Sequence, residues 1–144
     1  MNQKEILFVI HKQDEAAFQA CKSSIEALKV PEGYSSKTAV WEDKDNISLA
    51  DVYSQLQTPA NAKYKIYLDE KIGFINENFI EEILRVFAED ENIGALGLIG
   101  AKKMPLSCRW QDAEQCFGGC YCLDDQGNPY EYVLPAVTDS CYEQ

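Results

Sequence analysis

The sequence has few basic residues. Thirteen lysines and arginines stand against 24 aspartates and glutamates, and the formal net charge is −11. Binding to nucleic acid or to an anionic membrane surface requires clustered Lys and Arg, and the sequence contains no basic run. We therefore expect no nucleic acid partner, and an anionic ligand would need a local cation, either a metal ion or a well-placed lysine.

Long apolar runs are also lacking. The apolar run near the N-terminus, residues 6–10, has five members, far fewer than the ~20 residues of a transmembrane helix. It is shorter than the core of a secretory signal peptide, and no small-residue cleavage site follows it. These absences predict a cytoplasmic protein without a membrane span.

Familiar nucleotide-binding and catalytic motifs are missing as well. No G-x-G-x-x-G follows the first apolar run, and no G-x-x-x-x-G-K-[ST] occurs anywhere, which argues against a dinucleotide dehydrogenase or a P-loop nucleotidase. His11 is the only histidine, and nothing near it indicates a Ser-His-Asp or Cys-His set.

What the sequence does contain is an alternation of strand and helix patterns. The order β-α-β-α-β-α-β over about residues 5–100 predicts an α/β fold with a mostly parallel sheet and helices on both faces. The length of 144 residues fits one domain, 1–144, with an irregular, cysteine-rich tail at 101–144. The predicted strands are 6–10, 38–41, 64–68 and 93–99, with two short edge strands at 120–122 and 130–134.

Capping signals place the helices between these strands. Asp14 precedes the first apolar helical stripe, and Gly33 follows its end. Ser48 with Asp51 resembles a capping box for a second helix, and Asn78 with Glu81 does so for a third.

Polar segments follow the predicted strands at 11–14, 42–45, 69–71 and 100–103. In an open α/β sheet, ligands bind beyond the carboxyl ends of the strands. Carboxylates there can hold a hard cation such as Mg or Mn through oxygen. The alternative is that these loop tips are simply solvated.

Several segments together resemble one family. Residues 62–68, three polar residues and then 72–76 are similar to the third-strand motif of GT-A glycosyltransferases. More narrowly, they resemble the family 2-like domain named for streptomycin biosynthesis. Residues 79–87 and 93–105 look like its next helix and fourth strand. The likeness covers about 5–110 and implies a nucleotide-diphospho-sugar transferase fold with a truncated C-terminal half, since 44 residues follow Gly100.

The resemblance implies inverting transfer of a sugar from a UDP- or GDP-sugar type of donor. In related enzymes an Asp-x-Asp-like motif after the third strand binds the donor phosphates through a divalent metal, and a separate carboxylate takes the acceptor proton. Asp69, Glu70 and Lys71 occupy the motif positions here. The candidate base is Asp139, and Asp69 and Glu70 are the candidate ligands of Mn or Mg.

Lys71 stands where the family usually has an acid, and three interpretations remain open. Asp69 and Glu70 ligate the metal, or Lys71 itself offsets the diphosphate charge, or the site is inactive. The predicted donor-binding residues are His11, Asp43, Asp69, Glu70, Lys71 and Trp110. The alternative function is a catalytically inactive binding or interaction module that retains the fold, with a protein partner or a second copy of the chain.

Six cysteines are present, five of them from position 108 onward. Their spacings contain no C-x-x-C pair, which does not favour a zinc site. In a reducing cytoplasm we expect free thiols. An unrelated α/β protein with a zinc ion held in its tail is the third hypothesis.

Overall fold

The chain divides into two units, Met1–Glu91 and Asn92–Gln144. The computed structural model describes residues 2–42, 51, 62–103, 105–109, 112–123 and 129–133. Within these ranges, no helix combines the length and the apolar character needed to cross a bilayer. The single domain expected for 1–144 stays a prediction.

The first unit is built around one central strand. Strand β1 (Asn2–Lys12) lies between β2 (Ser35–Glu42) and β3 (Ala62–Asp69), and both neighbours run parallel to it. The apolar run 6–10 is buried on both faces of the sheet, as is usual for central strands of parallel sheets. The first three predicted strands and their parallel arrangement are confirmed.

Two helices cover one face of this sheet. Helix α1 (Glu15–Glu26) and helix α2 (Phe79–Glu89) bury their apolar stripes against the even-numbered residues of β1. The core on this face consists of Ile6, Phe8, Ile10, Phe18, Cys21, Ile25, Leu28, Leu68 and Ile80. Such burial supplies most of the stability of short helices, which are marginal in isolation.

The opposite face of the sheet carries a smaller cluster. Leu7 and Val9 are buried there, with Ala39 and Tyr67 packed against them. Helices were expected on both faces, but the two described helices share one. Except for Asp51, the helix predicted at 48–58 lies outside the described residues.

The predicted caps have mixed outcomes. Asp14 is confirmed as the N-cap of α1, since its Oδ1 accepts a hydrogen bond from the Ala17 N–H at 2.7 Å. Gly33 does not end α1, since the helix ends at Glu26 with Ala27 as its C-cap; it lies in the turn before β2 with a φ of +79°, a conformation that favours glycine. Asn78 occupies the N-cap position of α2, but its side chain makes no capping bond. The Asn78 N–H instead donates to Asn76 Oδ1 at 2.9 Å, so the local turn replaces the predicted cap.

The second unit contains an antiparallel sheet of order β4-β5-β6. Its strands are β4 (Ile99–Ala101), β5 (Cys116–Leu123) and β6 (Pro129–Val133). Two short edge strands were predicted in the tail. β6 confirms the second at an edge of the sheet, whereas β5 is longer than the predicted 120–122 and lies in the centre, between β4 and β6. The fourth parallel strand predicted at 93–99 is wrong. Gly94, Ala95 and Gly97 give that segment little side chain to pack, and only its last residue joins β4, which pairs antiparallel with β5.

Two isoleucines test where the stability of the first unit resides. Ile80 is fully buried in the core and Ile75 is 73% exposed. We expect Ile80→Ala to lower the free energy of unfolding by about 2–5 kcal/mol, because it removes packed atoms and leaves a cavity. Ile75→Ala is the matched control and should change it by less than about 0.5 kcal/mol. Urea unfolding followed by circular dichroism measures both, and equal losses would contradict this packing.

Two glycines provide a similar test in the second unit. Gly118 has a φ of +95°, and a Cβ added there would lie 2.0 Å from the Leu98 carbonyl oxygen. Gly100, in β4, has no atom within 4 Å of such a Cβ. Gly118→Ala should therefore destabilise the protein by about 1–3 kcal/mol, and Gly100→Ala by clearly less. Thermal unfolding compares the two variants, and a harmless Gly118→Ala would refute the close approach of Leu98.

Candidate functional site

Strand register brings several predicted site residues to one edge of the parallel sheet. His11, near the carboxyl end of β1, pairs with Trp41 of β2 and with Asp69 of β3. Neighbouring strands lie about 4.8 Å apart, so these three residues form one row across the edge. Two of the predicted donor-binding residues, His11 and Asp69, are therefore neighbours although 58 positions separate them.

The turn that follows β3 presents two side chains of opposite charge. The Lys71 N–H donates to Asp69 Oδ1 at 2.9 Å, and the Ile72 N–H donates to the Asp69 carbonyl at 3.1 Å. An aspartate that bonds the backbone two residues on is typical of a tight turn. Asp69 and Lys71 are both exposed, so a carboxylate and an ammonium group flank this turn.

Glu70, between them, points into the protein. It is 1% exposed, and its Oε2 accepts a hydrogen bond from the Gln13 N–H at 3.2 Å. That bond joins the turn after β3 to the connection between β1 and α1. The structure thus separates the three motif residues, with Glu70 inside and the other two facing out. A role of Glu70 as a metal ligand stays a prediction.

Lys12 forms an ion-pair cluster beside the row. Its Nζ lies 2.6 Å from Glu15 Oε2 and 2.9 Å from Glu42 Oε1, and 5.2 Å from the centre of the Phe18 ring. The hydrogen bonds to Glu15 and then to Glu42 raise the pKa of Lys12 to about 12. No local pattern in the sequence indicates this role of Lys12, because Glu42 is 30 positions away and the pairing depends on strand register.

A buried thiol lies behind the turn. Cys21 of α1 belongs to the core, and burial raises the pKa of its thiol, with a further contribution from the negative charges of Asp69 and Glu70. A protonated, buried thiol is a poor nucleophile and metal ligand. Cys21 and Cys108 form no disulfide bond, and the expectation of free thiols for all six cysteines stays a prediction.

The structure leaves the remaining predicted site residues untested. Asp43, Trp110 and Asp139 lie outside the described residues. Within the part of the chain that the structure describes, no three His, Cys, Asp or Glu side chains come together as a metal-binding group. Mn, Mg and zinc therefore all stay at the level of prediction.

A shallow hollow in the second unit offers no comparable chemistry. It is lined by apolar side chains and glycines, namely Gly97, Leu98, Ile99, Gly100, Ala101, Phe117 and Gly118. A diphosphate needs cations or aligned donors, and no charged side chain among the described residues lines this hollow. The edge of the parallel sheet is therefore the better candidate site.

The first unit is thus a parallel α/β unit with His11, Asp69 and Lys71 at its carboxyl edge, where proteins of this class bind ligands. The chain matches the model of a family described as "Glycosyltransferase like family" over residues 7–143, and it belongs to that family. Neither the curated proteins nor the solved structures contain a significant match. The match confirms the resemblance to glycosyltransferases. The streptomycin-biosynthesis type and the GT-A fold stay predictions.

The Lys12 cluster predicts a shifted titration. The hydrogen bond from Lys12, and then that from Gln19, hold the pKa of Glu15 below its ordinary value of 4.5. A lowered folded-state pKa means that the pairing stabilises the protein above the unfolded value and that this stabilisation is lost as pH falls through the folded value. Lys12→Met should return the Glu15 pKa toward 4.5, as measured by NMR titration.

Lys22, which lies on the same helix as Glu15, serves as the control for that titration. Lys22 pairs with Glu26 at 3.7 Å, away from Glu15, and Lys22→Met should leave the Glu15 pKa unchanged. High salt should shrink the shift in the parent protein, because exposed ion pairs are screened. An unchanged Glu15 pKa in Lys12→Met would show that the cluster does not form in solution.

Proposed function

We propose that this protein binds a nucleoside-diphosphate sugar at the carboxyl edge of its parallel sheet and transfers the sugar to an acceptor hydroxyl. The observation that carries the proposal is the strand register, which places His11 beside Asp69 and sets Lys71 in the adjoining turn. Membership in the glycosyltransferase-like family supports the class of reaction.

In this proposal Asp69 and Lys71 interact with the diphosphate in two different ways. Asp69 is an exposed carboxylate at a strand end, which suits a divalent ion that takes its other ligands from phosphate oxygens and water. Such an ion, when bound, offsets the charge of the departing diphosphate. Lys71, two positions on, supplies a positive charge near the same groups, which helps a strongly acidic protein to bind an anionic ligand.

His11 and Trp41 extend the proposed donor site along the same edge. His11 is half-buried in the middle of the row, where an imidazole can bond a nucleobase or ribose. Trp41 Nε1 is buried and has no hydrogen-bond partner among the described residues. We assign the acceptor-side base to Asp139, on the basis of the family resemblance.

A catalytically inactive binding module is the second candidate. Two observations favour it: lysine replaces the usual acid at position 71, and the neighbouring Glu70 is already buried in a hydrogen bond within the protein. In that case the edge binds a nucleotide sugar, or a protein partner, without transfer. Ligand binding and transfer must therefore be measured separately.

A thermal shift experiment tests the donor site directly. UDP, GDP and their common sugars are added with and without Mn, and the melting temperature is recorded. A ligand at a hundred times its dissociation constant adds about 2.7 kcal/mol of stability, which raises the melting temperature measurably. We expect a metal-dependent shift with one of these nucleotides and none with Asp69→Asn.

The control for Asp69→Asn is a carboxylate at the other edge of the sheet. Glu32 is exposed and precedes β2, so Glu32→Gln should retain the full shift. Lys71→Met should weaken the binding of the diphosphate both with and without Mn. No shift with any nucleotide in the folded protein would overturn the proposed function. A shift without sugar transfer to any acceptor would favour the binding module.

A further inference from the structure

The buried charge of Glu70 is unusual within this protein. Among the described residues it is the one charged side chain that is buried. Removing a carboxylate from water is unfavourable unless hydrogen bonds compensate for the lost hydration. The hydrogen bond that Glu70 accepts from the Gln13 N–H provides such compensation.

That interaction joins two segments that are far apart in the sequence. Glu70 Oε2 accepts from the Gln13 N–H, across 57 positions of sequence. Gln13 is itself held on both sides. Lys12 before it pairs with Glu15 and Glu42, and Asp14 after it caps α1. The donor N–H is therefore part of a fixed connection, and Glu70 attaches the turn after β3 to it.

Attachment of the middle residue determines where the outer two point. Asp69 and Lys71 flank Glu70, and both are exposed while Glu70 is buried. The Asp69 Oδ1 bond to the Lys71 N–H fixes the turn locally at 2.9 Å. The ladder with β1 places Asp69 beside His11, but it ends at that pair and does not extend to the β1–α1 connection. The bond between Glu70 and Gln13 does so, because it reaches a different element.

We propose that Glu70 is a positioning residue of the donor site, which it serves by tying the turn after β3 to the β1–α1 connection so that Asp69 and Lys71 face the donor diphosphate. This inference rests on the proposed function. It replaces a metal-ligand role for Glu70 with a structural one, and it leaves Asp69 as the carboxylate that meets the ligand.

Three variants separate positioning from ligation. Glu70→Gln keeps the size and a carbonyl oxygen that accepts the Gln13 N–H, Glu70→Ala removes the acceptor, and Asp69→Asn alters the proposed ligand. Two quantities are measured for each: amide hydrogen exchange at Gln13 by NMR, and the affinity for UDP and GDP with and without Mn.

We expect Glu70→Ala to speed exchange at Gln13 by about tenfold or more, since the loss of one hydrogen bond is worth a factor of that order. Its nucleotide affinity should fall by a similar factor. Glu70→Gln should stay within about threefold of the parent protein in both measurements, because the acceptor remains. Asp69→Asn should lose metal-dependent binding and leave exchange at Gln13 unchanged.

Two outcomes would overturn the inference. Unchanged exchange at Gln13 in Glu70→Ala would show that no such tie exists. Loss of metal-dependent binding in Glu70→Gln to the extent seen in Asp69→Asn would make Glu70 a ligand, and this test holds even if Glu70→Ala does not fold. If the parent protein binds neither UDP nor GDP, the proposed function fails, and so does the role of Glu70 in a sugar-donor site. Hydrogen exchange at Gln13 would still show whether Glu70 holds the turn after β3.

Discussion

The burial of β1 between two parallel neighbours is the constraint on which the first unit depends. Residues 6–10 are apolar without interruption and are buried on both faces, which makes β1 the centre of the sheet and leaves β2 and β3 beside it. Because parallel strands end at the same edge of the sheet, this arrangement also brings together the polar segments that follow the strands. A slip of one residue in register would exchange the faces of β1 and separate His11 from Asp69.

Lys12 and Lys71 lie at this edge of the sheet in a protein that is strongly acidic overall. Lys12, a cation at the end of β1, is already paired with Glu15 and Glu42, so it serves the fold. Lys71 is exposed in the turn beside Asp69. A local cation of this kind makes an anionic ligand compatible with a net charge of −11. Lys12 and Lys71 therefore have different surroundings in the fold, which the amino-acid composition does not show.

The second unit shows why family membership and strand patterns carry different information. The family match extends to residue 143 and so includes this unit, although its sheet is antiparallel and separate from the first. The apolar segment 93–99 suggested one more parallel strand. Its glycines and alanine provide few side chains to bury, and the ladder with β5 takes up only Ile99 and the two residues after it. An apolar run in the sequence therefore does not by itself predict which strand it will pair with.

The sequence by itself determined the α/β character of the first unit, its three parallel strands, the position of α1 and the Asp14 cap, because these follow from local periodicity and short-range hydrogen bonds. It also placed His11, Asp69, Glu70 and Lys71 at strand exits. Only the tertiary structure decided that Glu70 turns inward to Gln13 while its two neighbours face out. That contact, like the pairing of Lys12 with Glu42, joins residues distant in the chain. Strand register and packing create it, and no pattern within one segment encodes it.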